Sequence, residues 1–511
     1  MKTMFRGASR FATPLKLSAV AVAAILAACS SSDDPVPEYS ATIRTTSYGV
    51  PHIVADNFKS AGFGYGYVFA QQNICLYAEE LVTLRGERAQ YFGATGGYLG
   101  QLGTISGNVD SDFFYKLLMT KAQAERIKAE SSQAARDIVT GFAAGYNRYL
   151  SDTGVANLPA ECKGADWVKP MSEDEAYLRL TQAAIAGSSL NFINSIGAAQ
   201  PPATTVASFK ARPAKLPSTK QLAGSTVVAA LKNLQEHTIG SNGYGLGREV
   251  TQSGKGIVLG NPHFPWWGAL RLHQIHLTVP SEKYDVMGAT LLGVPLPLIG
   301  FNSTLGWTHT FSTDNRFTLR YLALDPSNPT RYIKDGVSKP MTAVPLSIQA
   351  KGADGKLATL SRTLYTTEFG PMLMDKDFTW SSSAAYAIQD ANYANYKLID
   401  QVILNGKATT VDGLLQAAAT YTAMPWVNTM AADKNGDAMY FNYSVAAKVA
   451  DAQLAACVPG PFQGLLASNG LVVMTGTTAA CDWSGSIGAA QRPSIKRSDY
   501  IVNANDSHWW S

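Results

Sequence analysis

Two hydrophobic periods divide this chain. Over Lys59 to Tyr91 apolar residues recur at helical spacing, with Leu76, Leu81 and Leu84 among them, and the pattern predicts a helix. Thr120 to Leu150, rich in Ala, Lys, Glu and Arg, predicts a second long amphipathic helix. A third starts at Ser172, where Ser at the N-cap and Glu175 at the third helical position form a capping box. Ahead of these, Thr42 to Val54 carries β-branched residues around a Gly-Val-Pro turn and predicts a strand, then a loop. Beyond residue 240 the pattern changes to strands. Ser241 to Gly247 predicts one strand, Thr251 to Gly256 a turn, and Ile257 to Asn261 the returning strand. Strand-like runs follow at Leu270 to Val279 and Ser347 to Ser361.

Between the two patterns, residues 195–240 contain Pro201-Pro202-Ala203-Thr204-Thr205 and then Lys-, Pro- and Ser-rich sequence, which predicts a linker. The fold class is therefore α+β: a helical segment over residues 30–194, a linker over 195–240, and a strand-rich segment over 241–511.

Composition narrows the setting. The chain has 511 residues, 46% of them hydrophobic, enough for a large core. Its net charge of +4, from 42 Lys and Arg against 38 Asp and Glu, is too weak and scattered to predict a nucleic-acid partner. Residues 1–29 read as a targeting segment, with basic residues Lys2, Arg6, Arg10 and Lys16 before an apolar run from Leu17 to Ala28. That run is too short for a permanent span. It ends Leu26-Ala27-Ala28-Cys29 before a polar tether, which resembles a bacterial lipoprotein cleavage site with Cys29 as the lipidated residue. An ordinary signal peptide cut near Ala28 is the other reading. Both predict export, to the periplasm or the outer membrane of a Gram-negative-type bacterium, with membrane contact only through a lipid anchor.

Four further cysteines suit an exported, disulfide-bonded chain. Cys457 and Cys481 flank one Gly/Pro-rich loop and are the easier pair; Cys75 with Cys162 is the other possibility. None has the CxxC spacing of a zinc or redox site. His273 and His276 are three apart on a predicted strand, hence on opposite faces, which argues against a metal. Asp433 to Asp437 lacks the Glu that closes an EF-hand loop and predicts a β-turn. There is no Gly-x-Ser-x-Gly elbow and no His-Glu-x-x-His.

Candidate chemistry centres on Gly240-Ser241-Asn242. If the chain is cut before Ser241, that residue carries both a hydroxyl and a free α-amine, whose ordinary pKa of about 7.7–8.0 suits a base near neutrality. Acyl transfer also needs oxyanion donors. Trp307 to Phe311 and Asn503 to Ser507 are candidates for them.

Gly240-Ser241-Asn242, Gly260-Asn261-Pro262-His263-Phe264, Trp307-Thr308-His309-Thr310-Phe311-Ser312 and Asn503-Ala504-Asn505-Asp506-Ser507 occur in this order, with His263 lying 22 residues after Ser241. Together with Tyr48 to Ile53 and Leu84 to Gly93, they resemble the penicillin acylase family of N-terminal nucleophile hydrolases. Within it they are most similar to acyl-homoserine lactone and aculeacin-type acylases. The resemblance runs from about Thr42 to the last residue.

It implies an αββα sandwich, autocleavage between Gly240 and Ser241 with removal of the 195–240 spacer, and a heterodimer of the chain's own two segments. Ser241 is then nucleophile and base. His263 assists beside it through its main chain, its ring also tuning the amine. Phe311 N–H and the Asn505 side chain form the oxyanion hole, and Phe264 lines the acyl pocket. The implied substrate is a fatty-acyl amide such as an N-acyl-homoserine lactone or a lipopeptide. A β-lactam acylase and a non-catalytic acyl-binding lipoprotein are the alternatives. No cofactor is implied. Penicillin G acylases have a calcium loop where this chain has Asn315, Arg316, Phe317 and Thr318, a poor set of calcium ligands. Family members continue beyond the Asn-x-Asn motif with a further Arg, so the resemblance implies that a C-terminal part is missing after Ser511.

Overall fold

A computed structural model of the chain describes residues 38–100, 105–202 and 240–508. The chain divides into Met1–Glu38 and a compact unit Tyr39–Ser511. Cys29, the rest of the targeting segment, Trp509 and Trp510 lie outside the described residues, as does most of the predicted linker.

The helix Phe58–Arg85 starts where the Asn57 side chain accepts from Ser60 N and stops at Gly86, whose φ of 62° is left-handed. It is buried nearly all round, because the helix Gln133–Thr153 crosses it at very short range. A Cβ on Gly62 would sit 2.3 Å from Ile138 O, and one on Gly141 would sit 2.0 Å from Lys59 O, so only glycine permits this crossing. The helix predicted as continuous over Thr120 to Leu150 is two, Lys121–Glu130 and Gln133–Thr153. Ser131 bonds back to Ile127 O at 2.8 Å and ends the first, while Ser132 accepts from Ala135 N and caps the second. The capping box at Ser172 and Glu175 is present.

The Leu84 to Gly93 stretch has a structural task. Behind Gly86 the chain turns into the short helix Arg88–Phe92, and Asp112 accepts from Arg88 N (2.8 Å) and Ala89 N (2.7 Å). Arg88 is itself buried, donating to Glu79, Thr83 and Asn108.

The strand-rich segment builds two large sheets and one small one. In the nine-stranded sheet, the hairpin Ala41–Thr45/Pro51–Ala55 adds in parallel to Leu272–Val279. Tyr284–Leu291, Ile299–Phe301, Leu305–Phe311, Val427–Asp433, Ala438–Phe441 and Ser494–Arg497 follow, all antiparallel. Thus Thr42 to Val54 is two strands rather than a strand and a loop. The run Ser347 to Ser361 is likewise two strands, Thr342–Lys351 and Leu357–Thr367, turned at Gly355 with φ of 77°, and they belong to an eight-stranded sheet.

The three-stranded sheet holds the order Tyr500–Asn503, Gly240–Leu246, Ile257–His263 and lies against Leu305–Phe311 and Val427–Asp433. Gly243 permits that approach, since a Cβ there would meet Met430 Cε at 2.2 Å. Helices Leu398–Lys407 and Val411–Tyr421 also pack on the nine-stranded sheet. The outer face of the small sheet exposes Tyr244, Ile257, Leu259, Tyr500 and Val502. No helix of the described residues is long and apolar enough to cross a membrane.

The predicted linker starts inside packed structure. Ile196 and Ala199 are buried, and Met374 N donates to Ser195 O, so residues 195–199 are packed.

Both disulfides form, Cys75–Cys162 and Cys457–Cys481. They close loops of 87 and 24 residues. Chain-entropy arithmetic therefore ranks them at about 4.6 and about 3.4 kcal/mol. Urea midpoints of Cys75→Ser/Cys162→Ser and Cys457→Ser/Cys481→Ser variants are expected to fall in that order.

Candidate active site

Ser241 is the second residue of the strand Gly240–Leu246 and is 1% exposed. Its hydroxyl donates to the carbonyl oxygen of Gly240 at 2.5 Å, so the candidate nucleophile lies on the peptide that precedes it. Its N–H donates to Asn505 Oδ1 at 3.0 Å. Phe311 N–H, at the end of Leu305–Phe311, donates to the same Oδ1 at 3.0 Å. Asn505 Nδ2 in turn donates to Ser241 O at 3.0 Å. Two main-chain donors converging on one amide atom fix it as the oxygen. Three motifs separated by up to 264 residues thus meet on one side chain.

Asn505 holds this place in a left-handed turn, φ 79°, a conformation that Asn tolerates. Its N–H donates to Asn503 Oδ1 at 2.9 Å. Asn503 is 2% exposed and also accepts from Thr310 Oγ1 (2.5 Å) and Asn428 Nδ2 (3.2 Å), while Tyr440 OH donates to Asn428 Oδ1. This polar hub joins the end of the chain to the strands on which Phe311 and Asn428 sit. Sequence reading missed Asn428 and Tyr440. The available signal was an Asn inside the wholly buried strand Val427–Asp433.

His263 pairs in register with Gly240 across the small sheet. Its ring is exposed and bonds Asn261 at 3.1 Å, so its main chain, not its imidazole, faces the junction. Phe264 stacks on Trp426 at 5.8 Å, and Trp426 on Phe311 at 5.6 Å. These three rings, with Leu272, Leu298 and Val427, line a cavity that reaches Ser241. Trp426, anchored by its Nε1–H to Ala183 O at 3.0 Å, is the other residue that sequence reading missed.

The one imidazole in this cavity is neutral. His309 is held by Leu298 O and Thr429 Oγ1, both at 3.1 Å, and burial pushes its pKa down to about 4. His273, between Tyr65 and Gln72, is also held at about 4 by burial and then by Arg271. His273 and His276 do point to different partners, the latter to His52 and Asp285. Among the described residues no group of three or more His, Cys, Asp or Glu could hold a metal. Nor does calcium fit the loop after Phe311. Asp314 accepts from Asn442 (2.8 Å) and Ser444 (2.5 Å), and the cationic Arg316 acts on the same carboxylate.

These shifts set a pH dependence of stability. An unfolded His takes up a proton near pH 6.5, whereas His309 and His273 resist until about pH 4. The unfolded state binds more protons in that window, so stability falls as pH drops through it. Asp112, pushed up to about 6 by burial, has the opposite sign between about pH 4 and 6 and offsets one of the two. Urea midpoints are expected to be lower at pH 4.5 than at pH 7. His309→Gln is expected to flatten that slope.

The fold is thus an α+β sandwich with a serine at a strand start, buried against an amide-rich turn and an apolar cavity. The chain belongs to the penicillin amidase family, whose model matches residues 40–510. It is 39% identical over 479 residues to the acyl-homoserine lactone acylase PvdQ of Pseudomonas fluorescens, covering 92% of this chain and 59% of that one. It is also 39% identical over 511 residues to aculeacin-A acylase of Actinoplanes utahensis, covering 97% and 63%. The chain therefore spans less than two thirds of the length of these relatives. A solved thermostable penicillin G acylase from Alcaligenes faecalis matches 52% of the chain at 20% identity with a TM-score of 0.42.

Proposed function

We propose that this chain is the precursor of an exported acylase, activated by cleavage between Gly240 and Ser241. The observation that carries the proposal is the convergence of Ser241, Phe311 and Asn505 at the head of an apolar cavity with no charged side chain among its lining. In the precursor the Ser241 hydroxyl is poised on the Gly240 carbonyl. The burial of Ile196 and Ala199 supports a spacer whose upstream edge lies after them, within the 195–240 span. Export, with or without a lipid on Cys29, rests on the N-terminal sequence pattern.

After the cut, Ser241 Oγ bonds to the acyl carbon of the substrate and its proton passes to the residue's own α-amine. The C–N bond breaks as that proton goes to the leaving amine, which leaves an acyl ester on Ser241. Water then adds to the ester, again through the amine, and releases the acid. For Phe311 N–H and Asn505 Nδ2 to share one oxyanion, the Asn505 amide turns from its arrangement in the continuous chain, where Oδ1 occupies Phe311 N–H.

The neutral apolar lining supports an aliphatic acyl chain, in keeping with the names of the two relatives. The three stacked rings support a second reading, an arylacetyl side chain such as that of a penicillin. Hydrolysis of long-chain acyl-homoserine lactones against penicillin G separates the two by their kcat/KM. A denaturing gel tests the core of the proposal. Two bands, the larger beginning Ser-Asn-Gly-Tyr, are expected; a single stable band with no hydrolysis would leave only a binding protein.

A further inference from the structure

Behind the Phe311 ring lies a charge that the chemistry above does not use. Arg316 is 4% exposed, and its guanidinium carbon sits 4.9 Å from the Phe311 ring centroid. It does not line the acyl cavity. It occupies a separate small cavity, shared with Phe311, Gly187 and Asp314. One terminal nitrogen donates to both Ser312 O and Ser312 Oγ, the latter at 3.0 Å. The other donates to Gly187 O at 3.3 Å, on the 3-10 turn Ile185–Gly187 of the helical segment. Its Nε has no hydrogen-bond partner among the described residues. Asp314 and Asp390 favour its charged form against burial, and it stays protonated at neutral pH, its pKa pushed down only to about 10.

A buried cation is costly to desolvate, and its hydrogen bonds offset part of that cost. Here the position is specific. The Phe311 ring contacts both Arg316 and Trp426, and Ser312 is tied by its N–H to Trp426 O (3.0 Å) and by its carbonyl to Arg316. The Phe311 N–H itself donates to Asn505 Oδ1, and Arg316 holds the turn that leaves this donor. The planar guanidinium fork suits this task, because it presents several donors in fixed directions while stacking on an aromatic face.

We propose that Arg316 is a positioning residue for acyl transfer, fixing Phe311 from behind so that its N–H is aimed at the oxyanion. The proposal rests on the reading of Phe311 N–H as an oxyanion donor. It also explains why this loop carries a guanidinium: a side-chain cation stiffens the turn through its own hydrogen bonds.

The test uses the full-length protein as its gene encodes it, with wild type, Arg316→Lys and Arg316→Met compared per titrated active site. Arg316→Met is expected to lower kcat by about 10- to 100-fold, less than or near the loss of one oxyanion donor itself. Affinity for an alkylboronic acid, a tetrahedral mimic, should fall by the same factor, while KM and affinity for the fatty-acid product stay within about twofold. Arg316→Lys should recover part of kcat, since charge returns without the fork. A purely structural role would reduce the processed, folded fraction and leave kcat per site and boronate affinity unchanged, and that result overturns the proposal.

Should Arg316→Met fail to mature, Gly187→Ala asks the same question. The new Cβ meets Arg316 Nη1 at 3.1 Å and Trp426 Cβ at 3.2 Å. A fall in kcat and boronate affinity with KM held supports the role; unchanged values of both refute it. A wild-type protein that hydrolyses no acyl amide instead defeats the function proposed above, which is a separate outcome.

Discussion

A Ser241→Ala variant is expected to run as one uncut chain and to release no acid from any acyl amide. Both losses come from one atom. In the continuous chain the Ser241 hydroxyl lies 2.5 Å from the Gly240 carbonyl oxygen, so removing it takes away the group poised on the junction. Without the cut there is no free α-amine, and the base disappears together with the nucleophile. Removal of the nucleophile in a serine hydrolase costs roughly 10⁶-fold, so turnover should be indistinguishable from background. A denaturing gel and release of fatty acid from a long-chain acyl-homoserine lactone measure the two consequences separately. Normal processing of this variant would mean that another residue attacks the Gly240 carbonyl, and Ser241 would lose its role. Deletion of the hydroxyl should not unfold the protein, because the strand is held by its pairings to Tyr500–Asn503 and Ile257–His263.

Much of the candidate site was legible in the sequence, and the reason is physical. Acyl transfer by a serine amine needs a strand start, a main-chain donor and an amide, and those needs leave short polar motifs in an apolar chain: Gly-Ser-Asn, Trp-Thr-His-Thr-Phe, Asn-Ala-Asn. What the motifs could not carry was direction. His263 was expected to assist through its main chain with its ring also tuning the amine; its main chain pairs with Gly240, while its ring bonds Asn261. Trp426, Asn428 and Tyr440 were missed because no short motif marks them; they bond to residues distant in sequence or on a neighbouring strand. The helical half shows the same limit. The breaks at Gly86 and at Ser131-Ser132 are decided by local caps, a left-handed glycine and two serine hydroxyls, inside long periodic stretches, and periodicity does not see them. Residues 195–199 fall in the stretch read as linker because composition does not reveal that Ile196 and Ala199 are buried.

Asn505 divides the two halves of the mechanism, and two substitutions should separate them. Its Oδ1 accepts from Ser241 N and Phe311 N, and its Nδ2 donates to Ser241 O. Asn505→Ala removes all three bonds and leaves two main-chain donors in a nearly dry site, each unpaired group costing about 1–3 kcal/mol. It also places an alanine at φ of 79°, where Asn is better tolerated. This variant should mature poorly. Asn505→Asp keeps oxygens facing both donors, so it should be cut more completely than the alanine variant. It lacks the N–H that would meet the oxyanion and sets a carboxylate in its place. Its kcat, measured on the processed fraction, is therefore expected to fall by about 10²- to 10³-fold with KM little changed, the cost of one lost oxyanion donor. Wild-type kcat in the aspartate variant would remove Nδ2 from the oxyanion hole. Wild-type processing in the alanine variant would remove Oδ1 from the precursor latch. Equal defects in both steps for both variants would show that one orientation of Asn505 serves cleavage and catalysis alike, with no turn of the amide between them.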